Sequence, residues 1–188
     1  MNAVHVALLR AVNLPSHGKI GMADLRALME ALDLRDGKTL LQSGNLVFRG
    51  ATRAGTALET QLEGEINKRS GLTTDVFVRS AAEWDAIVTR NPFPAQAKKD
   101  PSHLVLLCLK GSATAAQVAT LQAAIAGREV VRGHGREVYA SYPDGIGESR
   151  LTNAVIEKRL GTRVTGRNWN TVLKLQGLTH AMSEAPVR

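Results

Sequence analysis

Lys38-Thr-Leu-Leu-Gln-Ser-Gly-Asn-Leu-Val-Phe-Arg49 sets two apolar runs, Lys38 to Gln42 and Leu46 to Arg49, on either side of Ser43-Gly44-Asn45. The glycine supplies the positive φ that a tight reversal demands, so the runs are expected to pair as an antiparallel hairpin. Upstream, Val4 to Arg10 is apolar and β-branched at its start, which predicts a buried strand. After a polar loop over 11–21, Met22, Leu25, Leu28, Met29 and Leu32 recur at helical spacing, and Asp36-Gly37 is expected to end that segment. Downstream, Thr56-Ala-Leu-Glu59 has the pattern of a capping box, followed by Leu58, Leu62 and Ile66 one turn apart and by Ser70-Gly71 as a stop. Thr73 to Arg79 then reads as a strand. The order β-α-β-β-α-β is the split βαβ, or ferredoxin-like, arrangement.

The pattern restarts further on. Ser80-Ala-Ala-Glu83 opens a helix carrying Trp84, Ile87 and Val88, and 91–102, with three prolines, breaks all periodicity and is expected to be a linker. Beyond it, His103 to Leu109 is a strand and Thr114-Ala-Ala-Gln117 caps a helix with Val118, Leu121 and Ile125. Glu129 to Arg132 and Glu137 to Ser141 are two short strands around Gly133-His134-Gly135, and Ser149 to Leu160 is a helix stopped by Gly161. The fold class expected is α+β: two ferredoxin-like halves, 1–90 and 103–188, each an antiparallel sheet with helices on one face, the second ending in an extra helix instead of a closing strand.

Bulk properties bound the function only broadly. The 188 residues carry a net charge of +7 and are 44% apolar, a globular composition whose surface favours phosphate, nucleic acid or acidic metabolites. The single cysteine, Cys108, lies in a predicted buried strand and reads as a packed hydrophobe. The five histidines are scattered without the spacing that puts two imidazoles on one metal, and the glycine-rich phosphate cradles are absent, so neither a metal nor a cofactor is expected. Without a run long enough to span a bilayer or the features of a signal peptide, a cytoplasmic protein with no membrane partner is expected.

One segment carries a local conflict. In Gly161 to Leu175, read as the start of the last helix, Arg167 would stand in the first turn, where the helix dipole disfavours a cation. With Thr165 or Asn168 as cap, Arg167, Thr171 and Lys174 fall on one face while Trp169, Val172 and Leu173 point inward. Two cations beside free amides suit a phosphate or carboxylate; the alternative is an internal salt bridge, for instance from Arg167 to Glu157. Arg150, Lys158 and Arg159 on the preceding helix would widen the basic surface. Arg10, Asn13, Gln42, Ser43 and Asn45 join the candidate list as polar residues at strand ends and turns, where binding groups concentrate. Turn chemistry alone also accounts for Ser43, Gly44 and Asn45. His134, in its Gly-His-Gly turn, is a candidate acid or base.

Three stretches resemble one bacterial family: Leu8-Leu9-Arg10 with Asn13; Gln42-Ser-Gly-Asn-Leu-Val-Phe48; and Ile156-Glu-Lys-Arg-Leu-Gly161 followed by Thr165 and Arg167-Asn-Trp-Asn-Thr171. It is the family catalogued as the domain of unknown function DUF1697, and the likeness runs from about Val4 to Leu178. The resemblance implies a ferredoxin-like α+β bacterial protein and brings no activity or ligand. Ala11 and Leu14-Pro15-Ser16 depart from its glycine-richer loop.

Three functions follow as expectations: a module binding an anionic small molecule or nucleic acid through Arg10, Asn13, Gln42, Ser43, Asn45, Arg167, Asn168, Thr171 and Lys174; an enzyme whose polar pocket stabilises a developing anion; and an interaction protein whose motif residues serve capping and interdomain contacts. Against nucleic acid, aromatic residues are only 4%, too few for the paired stacking platforms of RNA-binding sheets.

Overall fold

The computed structural model describes residues 2–10, 22–40, 44–51 and 55–185. Their contacts divide into two units, 1–86 with 175–188, and 87–174. The protein is α+β, with two antiparallel sheets of four and three strands.

In the first unit the chain runs β1 (Asn2–Leu9), α1 (Met22–Ala31), β2 (Arg35–Leu40), β3 (Asn45–Ala51), α2 (Gly55–Ser70), β4 (Val76–Ser80). The sheet order β2-β3-β1-β4 is that of the split βαβ, with β1 paired antiparallel to both β3 and β4. The predicted hairpin forms: Gly44 takes φ 71, its carbonyl accepts from Leu9 N–H at 2.7 Å, and Asn45 Nδ2 donates to the Leu40 carbonyl at 3.0 Å. Ala7, Leu9, Leu46, Phe48, Val76 and Val78 form the sheet face on which Leu28 and Met29 of α1 and Leu58, Leu62 and Ile66 of α2 pack. The opposite face is buried as well, through Val6, Leu8, Val47 and Phe77.

Two local expectations in this unit are corrected. Asp36-Gly37 does not end α1, which stops at Ala31; it sits inside β2, where the register with β3 shifts between Arg35 and Lys38. A Cβ at Gly37 would lie 1.6 Å from Met29 Cε, the far end of a flexible side chain, which would have to shift. Glu59 does not serve a capping box. Because α2 begins at Gly55, Glu59 is a buried helical residue, and its Oε1 accepts from Val78 N–H at 2.8 Å on β4.

The second unit contains α4 (Pro94–Lys99), β5 (Leu104–Ala113), α5 (Ala115–Ala123), β6 (Val130–Ser141), α6 (Asn153–Leu160) and β7 (Val164–Asn168). Two helices run across the division, α3 (Ala81–Thr89) and α7 (Trp169–Glu184). The second sheet has the order β6-β5-β7. Val105, Leu107, Leu109, Val138, Ala140 and Val164 form its helix-covered face against Val118 and Leu121 of α5 and Ile156 and Leu160 of α6. Three predicted helix ends are present. Ser80 and Glu83 bond reciprocally at the start of α3, Thr114 and Gln117 do so at α5, and Gly161 closes α6 in the left-handed conformation.

The second half departs from expectation in four places. Residues 94–99 of the expected linker are helical, and 91–102 lie within the second unit. The two strands read around Gly133-His134-Gly135 are one element, β6, in which both glycines take positive φ; a Cβ on Gly133 would meet the Glu137 carbonyl at 2.6 Å. α6 starts at Asn153 with Thr152 as its cap, which leaves Arg150 in the preceding loop. Finally, a closing strand does exist: Val164–Asn168 is β7, hydrogen-bonded to β5, and the last helix begins only at Trp169. The Thr-Gly-Arg-Asn run lacks a long apolar pattern, and pairing with the apolar β5 makes it a strand.

Candidate functional site

The strand assignment of β7 changes the meaning of Arg167. It is not in a helical first turn; it lies on β7 opposite Leu106, which itself pairs with Tyr139 of β6. Tyr139, Leu106 and Arg167 therefore form one cross-strand row, and Glu137, Cys108 and Thr165 form the next row on the same face, since alternate residues share a side. This is the face away from α5 and α6. Cys108 is fully buried there.

Arg167 is partly buried, and its Nη1 donates to Thr165 Oγ1 at 2.9 Å and to the Gly166 carbonyl at 2.8 Å. Burial pushes the guanidinium pKa down to about 10, so the group is still a cation at neutral pH. Glu157, the carboxylate named as an internal answer, accepts from Arg163 Nη1 at 3.3 Å and from Val164 N–H at 2.9 Å.

Asn168 ends β7 and caps α7: its Oδ1 accepts from Thr171 N–H at 3.0 Å and from Thr171 Oγ1 at 2.9 Å. Trp169 N–H donates to the Pro101 carbonyl at 3.1 Å, and the Trp169 ring lies tilted 6.3 Å from that of Tyr139. The inward stripe of α7 is Trp169, Val172, Leu175, Thr179 and Met182, three or four residues apart. Hence Thr171 is buried and Leu173 is 43% exposed, the reverse of the expected assignment for both. Lys174 is exposed.

The remaining candidates belong to the first unit or lie outside the described residues. Arg10 Nη1 pairs with Asp75 at 3.4 Å, and the Arg10 carbonyl accepts from Thr74 Oγ1 at 2.6 Å. Asn45 is buried, with its amide on the hairpin. Asn13, Gln42 and Ser43 lie outside the described residues. His134 is exposed and, with Arg90, Glu137 and Tyr139, lines a cleft of about 270 Å³. The Tyr139 hydroxyl donates to the Ile87 carbonyl at 2.7 Å, and burial first, then the Glu137 charge, oppose its ionisation. Among the described residues no group of three or more His, Cys, Asp and Glu side chains could hold a metal ion, and no helix is long and apolar enough to cross a membrane.

Two groupings went unread in the sequence because their members are far apart in the chain. Asp85 accepts from Gln176 Nε2 at 2.8 Å and contacts His180 Nε2 at 2.7 Å; these two partners, Gln176 before His180, hold its carboxyl below the usual range. The other is a cleft of about 480 Å³ between the end of α5, the loop after it, the loop after β6 and the start of α6. Only turn-rich composition at 124–129 and 142–151 signals it in the sequence.

Comparison with known proteins matches residues 2–139 to the model of a family described as proteins of unknown function, DUF1697. The chain belongs to that family. The matched span ends in β6, so Arg167, Asn168, Thr171 and Lys174 lie beyond it, although the resemblance read from the sequence ran through them. A solved structure of a conserved bacterial protein from Streptococcus pneumoniae is similar over 96% of this chain and 99% of its own, with a TM-score of 0.74 and 19% identity. That likeness extends the shared fold through β7 and α7. No curated protein matches the DUF1697 chain.

Proposed function

We propose that this DUF1697 protein is a cytoplasmic binding module for a phosphate-bearing or carboxylate ligand, with Arg167 as the principal contact. The observation that carries the reading is a guanidinium kept partly inside the second unit at the expense of its solvation, its pKa pushed down to about 10 by burial, and oriented by the Thr165 hydroxyl and the Gly166 carbonyl. Perturbed ionisable groups of this kind concentrate at functional sites. An arginine presents a planar fork matched to two oxygens of a phosphate or carboxylate. The α7 N-terminus follows two residues later, and exposed Lys174 adds a second cation on that helix.

Titration calorimetry with inorganic phosphate, pyrophosphate, a nucleoside triphosphate and a short RNA tests it. Arg167→Ala is expected to weaken the best of these ligands at least tenfold. No binding by the natural chain at millimolar ligand, or equal binding by the variant, refutes the proposal; selective capture of the RNA assigns the site to nucleic acid.

A second reading, in which the motif residues are structural, is favoured at particular positions. The Asn45 amide closes the hairpin, and Asn168 with Thr171 completes a helix cap. On this reading Asn45 serves its own hairpin, and Asn168 with Thr171 serves the start of α7 beside Arg167.

A further inference from the structure

On the helix-covered side of the second sheet, opposite the face of Arg167, lies the cleft of about 480 Å³, a size typical of small-molecule sites. We propose that this cleft binds a small zwitterion with an apolar side chain, an amino-acid-like ligand whose ammonium meets Glu129 and whose carboxylate meets Arg150 and Arg159. The floor is apolar, made by Leu121, Ile125, Tyr142 and Leu151, with Val155, 40% exposed, at the edge. The Tyr142 hydroxyl donates to the Leu151 carbonyl at 3.2 Å, so the ring presents carbon to the cleft.

The acidic end is incompletely answered. Ser149 Oγ donates to Glu129 Oε1, whereas Oε2 is buried and has no hydrogen-bond partner among the described residues. A buried acceptor left in that state is costly, and a charged one more so, which makes a donor group the natural complement. Gly127 covers this oxygen: a Cβ there would stand 2.1 Å from Oε2.

The basic end is equally open. Arg128 pairs with Asp144 at 2.6 Å, but Arg150 and Arg159 are exposed and have no ion-pair partner among the described residues. Guanidinium groups in that state suit a carboxylate. A simple anion would leave Glu129 unanswered, and a simple amine would leave both arginines so. A molecule with both charges and an apolar body answers the acidic end, the basic end and the floor together.

Titrating the full chain with L-leucine, N-acetyl-leucine, leucinamide and glycine, followed by amide NMR shifts, separates these contributions. Leucine is expected to bind with saturable shifts at 124–129 and 148–159, and each of the other three at least tenfold more weakly. Glu129→Gln should weaken leucine about tenfold and leave N-acetyl-leucine unchanged; Arg159→Gln should weaken leucine and leave leucinamide unchanged. Because Arg150 and Arg159 are exposed, Arg150→Gln and Arg159→Gln keep the test open if Glu129→Gln fails to fold. Absence of saturable shifts with 10 mM leucine, or equal affinities across the ligands, overturns the proposal. Arg167→Ala is expected to leave leucine binding intact, which keeps this result apart from the anion titration.

Discussion

Arg49 and Arg167 both stand on sheet strands of this protein, and the contacts described for them differ. Arg49, on β3, is buried; its Nε pairs with Asp36 Oδ2 at 3.0 Å, and its Nη2 donates to the carbonyls of Met182 and Ala185 at the end of α7. Those carbonyls carry the negative end of the helix dipole, so carboxylate and helix terminus together balance the cation. The contacts described for Arg167 are a hydroxyl two residues away and a carbonyl one residue away. Those two oxygens lie on its own strand and set the direction of the guanidinium. The contacts described for Arg49 join two segments of the chain, whereas those described for Arg167 stay on β7.

The largest effect that would test this contrast is expected at Arg49. Arg49→Met should cost about 3 kcal/mol, because it strips Asp36 of its partner and frees the end of α7. Urea unfolding measures the loss, and hydrogen exchange should show α7 opening beyond Leu175. A change below about 1 kcal/mol would show that Arg49 does not hold the end of α7.

Alkaline titration probes the second unit, where burial opposes ionisation. Tyr142 is pushed up to about 12, first by burial and then by the Glu129 charge, and Tyr139 is raised further for the same leading reason. Both folded-state values exceed the ordinary 10.0, so the unfolded chain releases these protons first. The stability they contribute is complete below pH 10 and is lost as pH rises toward 12; for Tyr142 the loss is on the order of 2 kcal/mol. Tyrosinate absorbance should stay low until the chain unfolds. A normal titration near pH 10 in the native state would contradict the burial. Lowering the Arg167 pKa acts in the opposite sense: a base harder to charge in the fold opposes folding while both states are cationic, and that penalty is relieved above about pH 10.

The smallest expected effect is the sharpest. Arg167→Met removes a partly buried cation and replaces it with an apolar chain of similar length, which often leaves stability unchanged or improved. Unfolding free energy should stay the same or rise while anion affinity falls. A loss comparable to that of Arg49→Met would make Arg167 a structural residue like its counterpart.

Much of the fold was legible because it follows from local physics. The period of Leu58, Leu62 and Ile66, the caps at Ser80 and Thr114, the stops at Gly71 and Gly161, and the Gly44 turn each depend on neighbours within a few residues. Where a choice depended on a distant partner, local reading went astray. Thr-Gly-Arg-Asn became β7 because β5 offers an unpaired edge, Glu59 bonds the Val78 amide in place of a helix cap, and Asp36-Gly37 became part of β2.

The candidate residues divide the same way. Sequence by itself placed a cation, Arg167, close to the start of the last helix, offered Asn168 as its cap, and raised the expectation of an anionic partner. Tertiary structure decided that Arg167 shares a cross-strand row with Leu106 and Tyr139, that Thr171 turns inward, and that Glu129, Arg150 and Arg159 line one cleft. The reason is physical: helix periodicity and turn geometry act over a few residues, whereas burial and sheet pairing join residues that chain distance keeps apart.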